Sequence, residues 1–159
     1  MNTIYMLIGL PGAGKSTWMK NSRDERADSI ILSTDSYIEA YAANHGKTYN
    51  QVFQDAIKDA EKHMYQSLKQ AVDDGKNIIW DQTNLTKKAR AKKLAMIPKY
   101  YDRYAILFLT SDEISGTINE ERRRIGRSIP EHIIQGMKST YQPPSTDEGF
   151  SQIVTIIRE

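Results

Sequence analysis

Residues 9–17 read Gly-Leu-Pro-Gly-Ala-Gly-Lys-Ser-Thr, which meets the pattern G-x-x-x-x-G-K-[ST] at every required position. Each part has a chemical reason. Gly9, Gly12 and Gly14, with Pro11 and Ala13 between them, let backbone N–H groups curl round an anion. Lys15 supplies a point charge for the β and γ phosphates of a nucleoside triphosphate. Ser16, followed by Thr17, offers a hydroxyl to Mg2+ at the start of a helix. An apolar run precedes the string and a helical pattern follows it, the context such a phosphate cradle requires. ATP and Mg2+ are therefore the expected cofactors.

Other residue types narrow what is done with the triphosphate. No N-K-x-D string is present, so a Ras-type guanine reader is excluded, and the third apolar run ends Asp81-Gln82 where an oligomeric ATPase machine needs adjacent acids. A small kinase remains, which needs a base for the acceptor hydroxyl and cations that cover the moving phosphate. The stretch Leu32-Ser33-Thr34-Asp35-Ser36-Tyr37 places Asp35 where a strand ends, and a carboxylate there can take the hydroxyl proton. Thr34 or Asp35 would also serve as the N-cap of a helix over residues 36–43.

The cations come later, in Glu120-Glu121-Arg122-Arg123-Arg124-Ile125-Gly126-Arg127-Ser128-Ile129-Pro130, with four arginines in six positions. The run ends at a glycine before a new helix start at residues 128–131, as in a helical lid over phosphates, here about residues 111–141. Arg124 and Arg127 are the candidate catalytic arginines, although Glu120 and Arg124 also make an ordinary i,i+4 pair.

These residues need a scaffold. Five runs rich in isoleucine, leucine and valine read as buried strands over residues 4–8, 30–32, 77–80, 104–109 and 153–157. Between them Val52, Ala56, Ala60, Met64, Leu68 and Ala71 recur at helical spacing, predicting a helix over residues 51–74. Thr48 and Gln51 form a capping box before it and Gly75 suits a C-terminal cap. Strands alternating with helices predict an α/β fold: a three-layer P-loop NTPase of the nucleotide-kinase kind, with a parallel five-stranded sheet covered on both faces. Ligands should gather at the strands' carboxyl ends. The 159 residues suit one domain spanning the whole chain, and 39% hydrophobic against 26% charged residues suffices for a packed core.

The absence of cysteine excludes disulfides and thiol catalysis, and three scattered histidines give no metal spacing. No apolar run reaches membrane-spanning length, so a cytoplasmic protein is expected. A net charge of +2 says little, but the charges cluster. Lys87, Lys88, Arg90, Lys92, Lys93, Lys99 and Arg103 face one acid, Asp102, within residues 87–103. Lys88 and Lys92 share a helix face, consistent with a phosphate track for a nucleic acid strand or with a solvated surface. Tyr37, Tyr41 and Tyr49 could stack bases or simply pack, His45 should be exposed, and residues 143–150 should form a loop before the last strand.

Taken together, residues 8–18, Thr34-Asp35-Ser36-Tyr37, Asp81-Gln82-Thr83-Asn84-Leu85 and Arg124-Ile125-Gly126-Arg127-Ser128-Ile129-Pro130 resemble the kinase domain of the bacteriophage 5′-polynucleotide kinase family. The resemblance spans nearly the whole chain. It implies that Lys15 and Ser16 bind ATP and Mg2+, that Asp35 is the general base and that Arg124 contacts the phosphates. Asp81 and Asn84 would organise Mg2+-bound water or, equally, shape the turn before a helix near Thr86. The implied activity is transfer of the γ-phosphate to a polynucleotide 5′-hydroxyl. The family's arginine for the phosphate beside that hydroxyl falls three residues after the base, where this chain has Ile38. That departure keeps a hydroxymethylated pyrimidine within DNA as an alternative acceptor, and a small metabolite remains a further one.

Overall fold

The β-branched and leucine-rich runs form five strands: β1 (Thr3–Ile8), β2 (Ser29–Leu32), β3 (Asn77–Trp80), β4 (Asp102–Thr110) and β5 (Gln152–Arg158). The structure, a computed structural model, describes residues 2–22, 28–123 and 126–158, without the side chains of 112–115. The strands join one sheet in the order β2-β3-β1-β4-β5, and all four pairings are parallel. β4 is longer than its apolar run predicts, because Asp102 pairs with Thr3 on one side while Thr110 reaches Arg158 on the other.

Helices α1 (Lys15–Asn21), α2 (Asp35–Asn44), α3 (Tyr49–Asp73), α4 (Lys87–Leu94), α5 (Asp112–Arg123) and α6 (Glu131–Thr140) fill the connections. All six apolar positions that define the periodicity of α3 are buried, and the Thr48–Gln51 capping box closes its N-terminus. Its first half packs Val52, Ala56 and Ala60 against Ile38 and Ala42 of α2. Its second half lays Met64, Leu68 and Ala71 on Ile4, Leu32, Ile78 and Trp80 of the sheet. At its end Gly75 takes φ +66, the left-handed conformation that glycine adopts without penalty.

The sheet is not covered evenly: on the edge strands Ile31 is 53% exposed and Ile157 66%. The interior strands β3, β1 and β4 hold most of the buried residues, since an edge strand lacks a neighbour on one side. Helix α6 starts at Glu131 after Pro130, at the far end of the 128–131 window expected for it. Ser128 instead accepts a hydrogen bond from Asn50 Nδ2 through its carbonyl.

A buried ion pair ties the loop after β3 to the loop before β5. Arg90 of α4 is fully buried, and its Nε and Nη2 donate to Glu148 at 2.8 and 3.1 Å. Its Nη1 donates to the Asn84 carbonyl at 3.0 Å. Burial favours the neutral form of Glu148, but hydrogen bonds from Arg90 and from the Ser145 N–H hold its carboxyl below the usual range. Arg90 therefore belongs to the core and not to the basic track that the sequence pattern suggested. Arg90→Ala leaves a buried carboxylate without its cation and should cost about 3 to 5 kcal/mol. Chemical denaturation checks this, and Arg90→Met combined with Glu148→Leu should lose clearly less.

Candidate functional site

β1 ends at Ile8, and the glycine string then wraps back over the sheet into α1. Gly9 lies so close to β4 that a Cβ there would sit 3.0 Å from Phe108 Cβ. Gly12 and Gly14 take φ of 81° and 106°, conformations that favour glycine. Ala13 is buried between them, while Ser16 and Thr17 stand exposed in the first turn of α1. Lys15 folds across the loop, and its Nζ donates to the Gly9 carbonyl at 2.8 Å. Burial pulls its ammonium down to about 8, against the attraction of Asp81 and Asp35, with Arg122 adding repulsion.

Asp35 opens α2 beyond the end of β2. Thr34 makes no side-chain cap, and the Asp35 N–H donates to Ser33 Oγ at 3.1 Å. Its carboxylate is turned to other partners. Tyr49 Oη donates to Asp35 Oδ1 at 2.7 Å, and Arg127 Nη2 lies 3.4 Å from Oδ2. Arg127 also pairs with Glu39, one turn along α2, and its guanidinium lies 4.6 Å from the centre of the Tyr49 ring. Burial, then the hydrogen bond and charge of Asp35, hold the Tyr49 hydroxyl well above the usual tyrosine range. Asp35 thus has its oxygens oriented on both sides.

Asp81 follows β3, the strand between β2 and β1, so its carboxylate falls between Asp35 and the cradle. Burial raises its carboxyl above the ordinary value, while Lys15 offsets part of the effect. Ser16 and Asp81 supply hard oxygen donors beside a phosphate cradle. A magnesium ion needs only one or two such protein ligands when phosphates complete its shell, so the residues present fit it.

Asn84 lies apart from that chemistry. It is buried at φ 49°, and its Nδ2 donates to the Leu7 carbonyl at 2.7 Å. Its side-chain oxygen accepts from Lys93 Nζ. The amide is thereby committed to joining the ends of β1 and β3, while Thr86 caps α4 by accepting from Ala89 N–H.

Of the arginine run, Arg124 lies outside the described residues. Arg127 reaches Asp35, and Arg122 is half-buried beside Arg127, Asp35, Tyr49 and Asp81. Burial and the Arg127 charge act against its cation, so its pKa lies below the ordinary arginine value. The segment is pinned to α3: Asn50 N–H donates to the Gly126 carbonyl at 2.9 Å, and a Cβ on Gly126 would meet Thr48 Cβ at 2.4 Å. In the sequence nothing distinguishes Arg122 from its neighbours in the run. Its place shows only where the chain turns at Gly126 and the Arg127 N–H returns to the Arg122 carbonyl at 2.9 Å.

The remaining candidates fall elsewhere. Tyr37 packs near His63, with ring centres 5.6 Å apart, and Tyr41 stacks on exposed His45 at 4.1 Å. Among the three tyrosines, Tyr49 is the one hydrogen-bonded to Asp35. Lys88 and Lys92 project into solvent from α4. Ile38 has no exposed surface and sits in the α2–α3 core.

Residues 4–144 match the family described as AAA domain. The bifunctional polynucleotide phosphatase/kinase of Schizosaccharomyces pombe is 26% identical over 153 residues, covering 94% of this chain and 32% of that protein. The chain thus spans about a third of that relative's length. A candidate kinase from Chloroflexus aurantiacus superposes with a TM-score of 0.72 at 15% identity, covering 98% of this chain and 85% of that one. A chain of the Pnkp1/Rnl/Hen1 RNA repair complex superposes with a TM-score of 0.67 at 17% identity, covering 87% and 43%. At these identities the structures establish a common fold.

A buried lysine titrating near 8 has a measurable consequence. A bound polyanion stabilises the charged ammonium, so the pKa rises on binding. Between about pH 8 and 9.5, tripolyphosphate should bind with uptake of protons. Calorimetry in two buffers of different ionisation enthalpy reads that uptake, and Lys15→Met should reduce it.

Proposed function

This chain belongs to the AAA domain family, of P-loop kinase type, and on that premise we propose that it transfers the γ-phosphate of ATP, with Mg2+, to a hydroxyl of nucleic acid, a polynucleotide 5′-hydroxyl first among them. The observation that carries this reading is the Asp35 carboxylate, held by Tyr49 and Arg127 on the flank of the sheet next to the cradle lysine. A kinase needs a base at that station and a cation opposite it.

The acceptor hydroxyl approaches Asp35 Oδ2, which Arg127 at 3.4 Å attracts without a close hydrogen bond. As the new O–P bond forms, the hydroxyl proton passes to Asp35, and the bond to the β-phosphate oxygen breaks with ADP leaving. Lys15 and the arginines of the 111–141 segment stabilise the negative charge on the transferring group. Arg122 lies within the field of both carboxylates, and Arg124 keeps the phosphate contact that the family resemblance implies. Mg2+, held by Ser16 and Asp81 with the phosphates, would neutralise charge on the β and γ oxygens.

Support for a nucleic acid acceptor comes from the S. pombe relative, whose name specifies polynucleotide kinase, and from exposed Lys88 and Lys92 on α4. Ile38, in place of the arginine that the resemblance implies, keeps a hydroxymethylated base within DNA as the alternative acceptor.

Transfer of labelled γ-phosphate to three oligonucleotides tests the acceptor: one with a free 5′-hydroxyl, one blocked, and one blocked but carrying hydroxymethyluracil. Label in the first alone is expected. Label in the third alone would move the acceptor to a base, and label in none, with ATP bound, would point to a small metabolite. Asp35→Asn should lower kcat by about 10²- to 10⁴-fold with ATP affinity nearly intact. Lys15→Ala should weaken ATP binding itself, as read by calorimetry.

A further inference from the structure

Glu39 is an acid that the chemistry above leaves without a task. It stands on α2 one turn beyond Asp35, at the spacing that puts two side chains on one helix face. Arg127 lies between the two carboxylates. Its Nη1 donates to Glu39 Oε1 at 2.5 Å, whereas its Nη2 is 3.4 Å from Asp35 Oδ2. The guanidinium rests over the Tyr49 ring, and the Tyr49 hydroxyl is committed to Asp35 Oδ1. One cation is thus shared by two acids, and the closer contact goes to the acid that the proposed reaction does not use.

The unequal sharing has a chemical consequence. A guanidinium that sets both ends on one carboxylate makes a bidentate, charge-assisted pair, among the strongest that side chains form. On Asp35 such a pair would cover Oδ2 and stabilise the anion, and a base so held is a poor acceptor for a proton. A second carboxylate one turn away competes for the same N–H groups and keeps the pair from closing.

Holding the arginine segment in place does not require Glu39. Asn50 grips that segment twice, through its N–H to the Gly126 carbonyl at 2.9 Å and its Nδ2 to the Ser128 carbonyl at 2.9 Å. Asn119 adds a reciprocal pair with Ile129, donating to its carbonyl at 2.9 Å and accepting from its N–H at 2.8 Å. The Glu39 side chain is half exposed, and an ion pair so open to solvent adds little to stability.

We propose that Glu39 is a positioning residue: it draws Arg127 away from Asp35 Oδ2 and so leaves that oxygen open to the acceptor hydroxyl. The inference rests on the reading of Asp35 as the base.

Two measurements test it. Crystal structures of ligand-free wild type and Glu39→Gln locate Arg127 without any turnover. In Glu39→Gln both ends of the guanidinium should sit on Asp35, at about 2.7 to 2.9 Å. A guanidinium that stays where it is, or turns out into solvent, overturns the proposal. With labelled ATP and a 5′-hydroxyl oligonucleotide, Glu39→Gln should lower kcat by about ten- to a hundredfold while KM for ATP holds. Arg127→Gln completes a double-mutant cycle: adding Glu39→Gln to it should cost nothing further, because Glu39 acts only through Arg127. Losses that multiply, or an unchanged kcat in Glu39→Gln, count against the role. If wild type transfers no label to any of the oligonucleotides, the reading of Asp35 fails, while the two crystal structures still decide whether Glu39 keeps Arg127 off that carboxylate.

Discussion

The ends of β1 and β3 are tied by the Asn84 amide, and the geometry of the site hangs on that tie. A donated hydrogen bond to the Leu7 carbonyl fixes where β1 releases the chain into the glycine loop. The Gly9 N–H returns the connection by donating to the Thr83 carbonyl at 3.0 Å. Asn84 adopts a left-handed conformation to do this, one that asparagine tolerates better than most side chains. Its carbonyl then serves Arg90, whose bond to Glu148 carries the tie across to the loop before β5. Asn84 thereby joins the ends of β1 and β3 directly and reaches the loop before β5 through Arg90.

On that frame the electrostatics are deliberately out of balance. Lys15, Arg122, Arg127 and Lys93 converge on the carboxyl edge, while Asp35 and Asp81 are the acids among the charges acting on Lys15. Burial strengthens every one of these interactions and penalises the cations that lack partners. The excess suits a site that waits for a polyphosphate. The Asp35–Tyr49–Arg127 group is balanced internally, which holds the carboxylate in one orientation before any ligand arrives.

Much of this was legible along the chain. The periodicity of α3, its capping box and the left-handed Gly75 follow from residues within a few positions of one another, and the structure keeps them nearly to the residue. The glycine string and the strand runs are legible for the same reason: torsional freedom and apolar alternation are local properties. The basic run shows the limit. Seven cations looked alike, yet Arg90 is buried on Glu148, Lys93 is turned inward and Lys88 is in solvent.

The phosphate cradle, the order of strands and helices, and a carboxylate after β2 are written in residue order. The tertiary structure alone decided which partners those residues meet. Tyr49 reaches Asp35 across 14 positions, Arg90 reaches Glu148 across 58 and Arg127 reaches Glu39 across 88. Backbone torsions and helical faces are set by near neighbours, so residue order encodes them directly. The pairing of buried charges depends on how distant segments cross at the carboxyl edge of the sheet, and no spacing in the chain records that crossing.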